Sequence, residues 1–276
     1  MSARWLITRR VSQASVLGLF LAGPLAGVWV VEGNLSSSLV LGTVPLSDPF
    51  VLLQTLFAGH VAEASALIGA AIIVAFYALL GGRAYCAYVC PVNLVTDATA
   101  WLARRLDIRP GWQPARETRL WMLAGALAAA AATGSLAYEL INPVSTLQRS
   151  LIFGLAGGWL VVSAVFLLDL LVGRRLWCGH LCPHGALYGL LGSASLVRVS
   201  AARREACDDC MDCFDVCPEP HVIGPALRGA RQGTGPLILS RDCTNCGRCI
   251  DVCDKRVFAF DFRFNNATEP APAGAP

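Results

Sequence analysis

Twelve cysteines stand in this chain, and eight of them fall into two copies of one spacing. "CDDCMDCFDVCP" sets Cys207, Cys210, Cys213 and Cys217 at Cys-x2-Cys-x2-Cys-x3-Cys-Pro. "CTNCGRCIDVC" repeats the gaps at Cys243, Cys246, Cys249 and Cys253, with Asp254 where the proline would stand. Three thiolates on one tight loop can each reach a different iron of a cubic cluster, while the fourth is lent to the other motif. Structural zinc uses separated Cys-x2-Cys pairs, so it does not account for this run. No Cys-x-x-Cys is followed by His, which excludes covalent haem attachment.

The spacing resembles that of bacterial ferredoxins with two [4Fe–4S] clusters. Carried over position by position, the resemblance assigns Cys207, Cys210, Cys213 and Cys253 to one cluster. Cys243, Cys246, Cys249 and Cys217 go to the other. It also implies an α+β domain over residues 200–264. A domain this small rarely holds together by core burial alone, so the clusters are expected to be structural as well as redox-active. The Pro/Ala-rich stretch 265–276 has little to bury and is expected to be disordered.

Upstream the composition changes. The chain is 55% apolar and 15% charged, with a mean hydropathy of +0.55. Apolar runs near 11–31, 63–82, 120–138 and 151–172 approach the roughly 20 residues that cross a hydrocarbon core. The hydropathy therefore predicts an α-helical integral membrane protein, with four transmembrane helices in residues 1–199. Arginines mark the sidedness. Arg4, Arg9 and Arg10 precede the first run, and Arg83, Arg104, Arg105, Arg109, Arg116 and Arg119 separate the second from the third. Arg174, Arg175, Arg198, Arg203 and Arg204 follow the fourth, whereas the other two loops hold only Arg149. The positive-inside rule then puts both termini in the cytoplasm of a bacterial inner-membrane protein, with the first run as an uncleaved anchor. In a reducing compartment disulfides are disfavoured.

The apolar part repeats itself. "GGRAYCAYVCP" (81–91) aligns with "GRRLWCGHLCP" (173–183), and "DPFVLLQ" (48–54) with "NPVSTLQ" (142–148). Two copies starting on the same side imply parallel repeats about an axis along the membrane normal. Each ends in Cys-x3-Cys-Pro: Cys86 and Cys90, then Cys178 and Cys182. Cysteines four apart share a helix face, and the residue before proline leaves the α region. Three roles stay open for these thiols: an extra redox metal centre, a thiol–disulfide pair, or structure. His180 and His184 are candidate ligands or proton carriers. Leu94, Ala98, Trp101, Leu102 and Leu106 fall at helical spacing, as in an amphipathic helix on a membrane surface.

With these elements in place, "GNLSSSLVLGTVPLSDP", "CGHLCPHGALYG", "CMDCFDVCPEPHV" and "SRDCTNCGRC" together resemble the NapH family of ferredoxin-type membrane subunits of periplasmic nitrate reductase systems. The related NosR and CcoG types carry additional domains. The resemblance implies oxidation of quinol in the bilayer. It also implies passage of electrons to a periplasmic ferredoxin-like partner of the NapG type, alongside a tetrahaem cytochrome of the NapC type. No nucleic-acid partner is expected. Gln54, Gln148 and His60 are candidate quinol contacts, with Glu63 and Glu139 as proton acceptors. Asp169, inside the fourth run, is expected to pair with Arg174 or Arg175. The alternative is a maturation factor that supplies electrons or metal to a partner metalloenzyme.

Overall fold

A computed structural model describes residues 3–108, 111–154 and 156–264; Arg109 and the expected disordered tail lie outside them. The chain forms two compact units that do not follow chain order. One gathers Met1–Ser12, Tyr77–Tyr88 and Tyr188–Pro276, and the other Gln13–Phe76 and Val89–Leu187.

The four expected transmembrane helices are overturned. Among the described residues, no helix is long and apolar enough to cross a membrane. The physical reason lies in where the helices stop. Helix α1 runs Arg4–Ala26, so it takes in three arginines and Gln13 before Gly27, at φ +70°, ends it. Helix α3 (Ala64–Leu80, 17 residues) stops at Gly81, φ +121°. Helix α6 (Thr118–Thr133, 16 residues) ends on Gly134 in the left-handed region. Gly154, also left-handed, splits the fourth run into α7 (Pro143–Phe153) and α8 (Ala156–Leu167), the latter continued by one π turn to Val172. At 1.5 Å per residue, α3, α6 and α7 fall short of a core of about 30 Å, whereas α1 is long enough but carries its arginines within it.

In the unit that holds the tail cysteines, strands β4 (Val197–Ser200) and β5 (Ala259–Phe262) pair antiparallel, Val197 opposite Phe262. Three short helices join them: α10 (Asp212–Val216), α11 (Ile223–Arg228) and α12 (Arg248–Val252). Val199, Ala201, Ile223, Ile238, Val257 and Phe258 form the core, with the cysteines packed against it. The start of α1 seats on α12. Asp251 accepts from the Trp5 and Leu6 backbone N–H groups at 3.2 and 2.9 Å, capping otherwise unpaired donors. Trp5 also packs against Phe260 edge to face. Helix α4 (Ala84–Tyr88) belongs here too. Arg83 before it donates to the buried Glu219 at 3.0 Å and to the Asp242 carbonyl at 2.8 Å.

The other unit shows the internal repeat as structure. A three-stranded antiparallel meander, β1 (Val31–Gly33), β2 (Ser37–Val40) and β3 (Val44–Ser47), leads into α2 (Pro49–Phe57). Asp48 caps α2 through the Phe50 N–H, and Asn142 caps α7 through the Val144 N–H, each with proline at the first helical position. The aligned "DPFVLLQ" and "NPVSTLQ" are therefore two capped helix starts. Helix α5 (Val92–Arg105) and helix α9, which begins at Pro183, follow the two Cys-Pro pairs. In α5 the expected apolar stripe is turned outward. Asn93, Thr96, Thr99 and Ala100 are buried, whereas Leu94, Trp101 and Leu106 are exposed.

Candidate functional site

The two cysteine loops share one backbone course. In each, the residue before the second cysteine and the residue after it have positive φ: Asp209 and Met211 in one, Asn245 and Gly247 in the other. These reversals wrap the loop so that three thiols face one interior. Gly247 has the conformational freedom for this, and a Cβ there would also meet Trp5 at 2.5 Å. A helix of five residues then carries each chain to an extended cysteine, Cys217 or Cys253. Cys217 precedes Pro218, but Cys253 takes the same course before Asp254, so the proline is not what turns the chain.

The thiols gather in two groups. Cys207, Cys210, Cys213 and Cys253 line one cavity, walled by Phe214, Leu227, Val257 and Phe258. Burial, with the charges of Cys207, Cys210 and Cys253, pushes the Cys213 thiol up to about 11. In the second group, burial and the charges of Cys246, Cys217, Cys243 and Cys213 push Cys249 well above its ordinary value. Desolvated thiols such as Cys213 and Cys249 keep their protons until a cationic centre displaces them, whereas Cys246, despite its burial, is held below its ordinary value by the charges of Arg248 and Arg9. Soft ligands, apolar walls and loops of this course fit iron–sulfur clusters. Among the described residues, no three Cys, His, Asp or Glu side chains converge closely enough for a single metal ion. Cluster ligands surround a cage rather than one atom.

Of the Cys-x3-Cys-Pro cysteines, Cys86 lies in the unit with the tail, and Cys90, Cys178 and Cys182 lie in the other. Those three act together on one phenol. Tyr138 is buried, and desolvation with the field of Cys182, Glu139, Cys90 and Cys178 holds it protonated. Cys178 sits 3.9 Å from the Thr96 hydroxyl, and Cys182 Sγ accepts from the Gly185 N–H at 3.5 Å. Cys182 is extended before its proline, as expected.

The candidate quinol contacts are scattered in character. Gln54 is fully buried, and neither of its amide atoms has a hydrogen-bond partner. Gln148 is buried too and accepts from the Leu35 N–H at 2.9 Å. His60 is exposed, with its ring 3.0 Å from the Gly134 carbonyl. Glu63 is exposed, and Glu139 is engaged by Asn142 and Ser145 at 2.9 and 2.6 Å. Asp169 meets its expected partner only in part. Arg175 bridges to Asp97 at 2.6 Å, while its charge still favours the Asp169 carboxylate, which accepts from the Trp177 N–H at 2.9 Å.

Sequence reasoning missed a buried pair. His184 Nε2 donates to Asp48 Oδ2 at 2.6 Å, edge-on to Phe50. Burial alone would lower the His184 pKa, but the charge and hydrogen bond of Asp48 raise it above its ordinary value. The available signal was asymmetry between the repeats: Asp48 stands against Asn142, and His184 against Val92.

Comparison with known proteins gives a consistent outcome. Residues 63–109 and 155–200 match a family described as a 4Fe-4S binding domain, and 206–257 match a 4Fe-4S dicluster domain. The chain is 59% identical over 260 residues to the methylamine utilization ferredoxin-type protein MauN of Methylorubrum extorquens, covering 94% of this chain and 90% of that one. It is 56% identical to MauN of Paracoccus denitrificans, at 94% and 91% coverage. It is 49% identical to the ferredoxin-type protein NapH of Haemophilus influenzae, at 96% and 92% coverage. No solved structure matches.

Proposed function

This chain belongs to the family of ferredoxin-type electron-transport proteins that includes NapH and MauN, and on that footing we propose that it oxidises quinol and passes the electrons to a partner oxidoreductase system. The reading carries two [4Fe–4S] clusters. Cys207, Cys210, Cys213 and Cys253 hold one, and Cys243, Cys246, Cys249 and Cys217 hold the other. The observation that supports it most is the grouping of the tail thiols into two sets on matching loops. When bound, the clusters take up electrons one at a time at potentials set by charge, hydrogen bonding and exposure. The thiols of Cys90, Cys178 and Cys182 serve as a third redox station, and Cys86 takes a redox role within its own unit. The chain works at the inner face of the plasma membrane, where a lipid-soluble quinol is found. Exposed apolar side chains support attachment there, including Leu67 and Ile68 of α3, Trp121 of α6, and Trp159 and Leu160 of α8.

In a NapH-like setting, the electrons go toward a periplasmic nitrate reductase through NapG-type and NapC-type partners. A second reading has a specific observation in its favour: two MauN proteins reach 59% and 56% identity against 49% for NapH, although a third MauN, of Methylobacillus flagellatus, stands at 45%. It assigns the chain to methylamine utilisation, as a factor that supplies electrons or metal to a partner metalloenzyme during its maturation. Deleting the gene separates the two, because growth on methylamine fails under one reading and nitrate respiration under the other. The core of the proposal is tested by quinol-dependent bleaching of the clusters in isolated membranes, comparing wild type with Cys86→Ser and Cys178→Ser. Absence of quinol reduction in wild type sinks it. Iron content above about eight per chain, the content of two such clusters, supports the third station.

A further inference from the structure

Two clefts follow one another along the seam between α5 and α8. The first, about 610 Å³, is apolar, lined by Leu94, Val95, Ala98, Val162, Phe166 and Leu167. The second, about 400 Å³, continues along both elements past Ala100 and Ala103 on one side and Leu170 and Gly173 on the other. Its polar lining is Arg104, Asp107, Asp169 and Arg174. Segment 111–112 lies across residues 172–173 at the polar end. A Cβ on Gly111 would be 2.4 Å from the Val172 carbonyl oxygen, and one on Gly173 2.4 Å from that of Trp112, so only glycines permit the approach.

Asp169 is the unusual group. It is 4% exposed, its Oδ1 accepts from the Trp177 N–H, and its Oδ2 has no hydrogen-bond partner. The Arg175 charge and the Leu176 N–H also act on this carboxylate, yet Oδ2 itself has no hydrogen bond, and a buried oxygen left so is costly, which points to a group that could complete it from the cleft. An apolar trough ending in a donor-seeking carboxylate and two guanidinium groups suits a ligand with a greasy tail and a hydroxyl-bearing head. A phospholipid fits poorly, because its anionic phosphate would face the unsatisfied carboxylate.

We propose that the α5–α8 seam is the quinol site, with the prenyl tail along Leu94, Ala98 and Phe166 and one hydroquinone hydroxyl donating to Asp169 Oδ2. This rests on the quinol reading above and supplies its location, in place of Gln54, Gln148 and His60. Oxidation of a hydroquinone releases two electrons and two protons. Asp169 accepts the first proton, and the second leaves to water from the hydroxyl at the open side. The electrons pass singly to the oxidised iron–sulfur clusters of the chain. The path begins at the Asp169–Trp177 hydrogen bond, one residue before Cys178.

The test uses the purified full chain with its clusters, a short-tailed benzoquinol and its oxidised form. Ala98 is exposed, so Ala98→Trp fills the trough without touching the core. It should weaken quinone binding, read by intrinsic fluorescence quenching, about tenfold or more. Asp169→Asn keeps an acceptor for Trp177. It should leave quinone binding nearly intact but slow quinol bleaching of the clusters about 100-fold, the lower range for a positioned proton acceptor. Dithionite should reduce all three proteins alike at equal iron content. If wild type binds quinone and is reduced while both variants behave like it, the seam is not the site, though quinol oxidation stands. If Asp169→Asn is reduced at the wild-type rate, the proton-accepting role is refuted. If wild type neither binds quinone nor is reduced by quinol, the functional reading fails and takes this site with it.

Discussion

The Asp48–His184 pair offers a prediction whose parts can be separated, because the repeat supplies the control. Asp48 does two things: its Oδ1 caps α2 through the Phe50 N–H, and its Oδ2 holds His184 at 2.6 Å. In the twin position, Asn142 caps α7 with no charge. Asp48→Asn should therefore keep the cap and remove only the ion pair. Stripping one partner from a buried pair costs about 3–5 kcal/mol, and the imidazole can relieve part of that by losing its proton. A loss of roughly 3 kcal/mol is expected near pH 6. Asp48→Ala should lose about 1 kcal/mol more, the cap's share. The pH dependence has a definite sign. The folded His184 pKa is raised, so the pair's contribution is complete below the unfolded value of about 6.5. It is lost as pH rises through the folded value. The gap between wild type and Asp48→Asn should therefore be widest in mild acid and close in alkali. Urea unfolding followed by tryptophan fluorescence across that range measures it. A variant as stable as wild type at pH 6, or a gap that widens with pH, would refute the reasoning.

Three further outcomes are expected. Arg83→Leu removes the guanidinium from the buried Glu219, which keeps His221 at 3.7 Å, and should cost about 3 kcal/mol, whereas Arg83→Leu with Glu219→Leu should recover part of it; additive losses in the double-mutant cycle would argue against a coupled pair. Gly82→Ala should prevent folding of its unit. The added Cβ would sit 1.8 Å from the Tyr188 carbonyl oxygen and 2.3 Å from Gly192 N, both backbone atoms that cannot turn aside, and soluble yield and protease resistance report it. Removing iron with a chelator should expose residues 207–260 to protease, since thiols that repel one another lose the centre that joins them. Unchanged cleavage there would show that the loops fold without metal.

Much of the tail was readable because its chemistry is local. Three cysteines at successive gaps of two residues determine one loop, and the positive φ values at Asn245 and Gly247 occur where asparagine and glycine tolerate them. The repeat was readable as aligned strings, but that its Asp-Pro and Asn-Pro positions start capped helices came from the structure. The apolar runs misled because hydropathy counts side chains and is blind to backbone reversals. Gly27, Gly81, Gly134 and Gly154 each end a helix at positive φ, cutting runs that composition reads as continuous.

The sequence by itself thus determined the cysteine motifs, the internal repeat and the family, each carried by short runs of neighbouring residues. Only the tertiary structure decided what joins distant positions. Asp48 meets His184 across 136 residues, Arg83 meets Glu219 across the same separation, and the polar face of α5 turns inward while its apolar stripe borders the cleft that ends at Asp169. Such contacts depend on which faces the packing brings together. That is a property of the whole chain's burial and hydrogen bonding, not of any window within it.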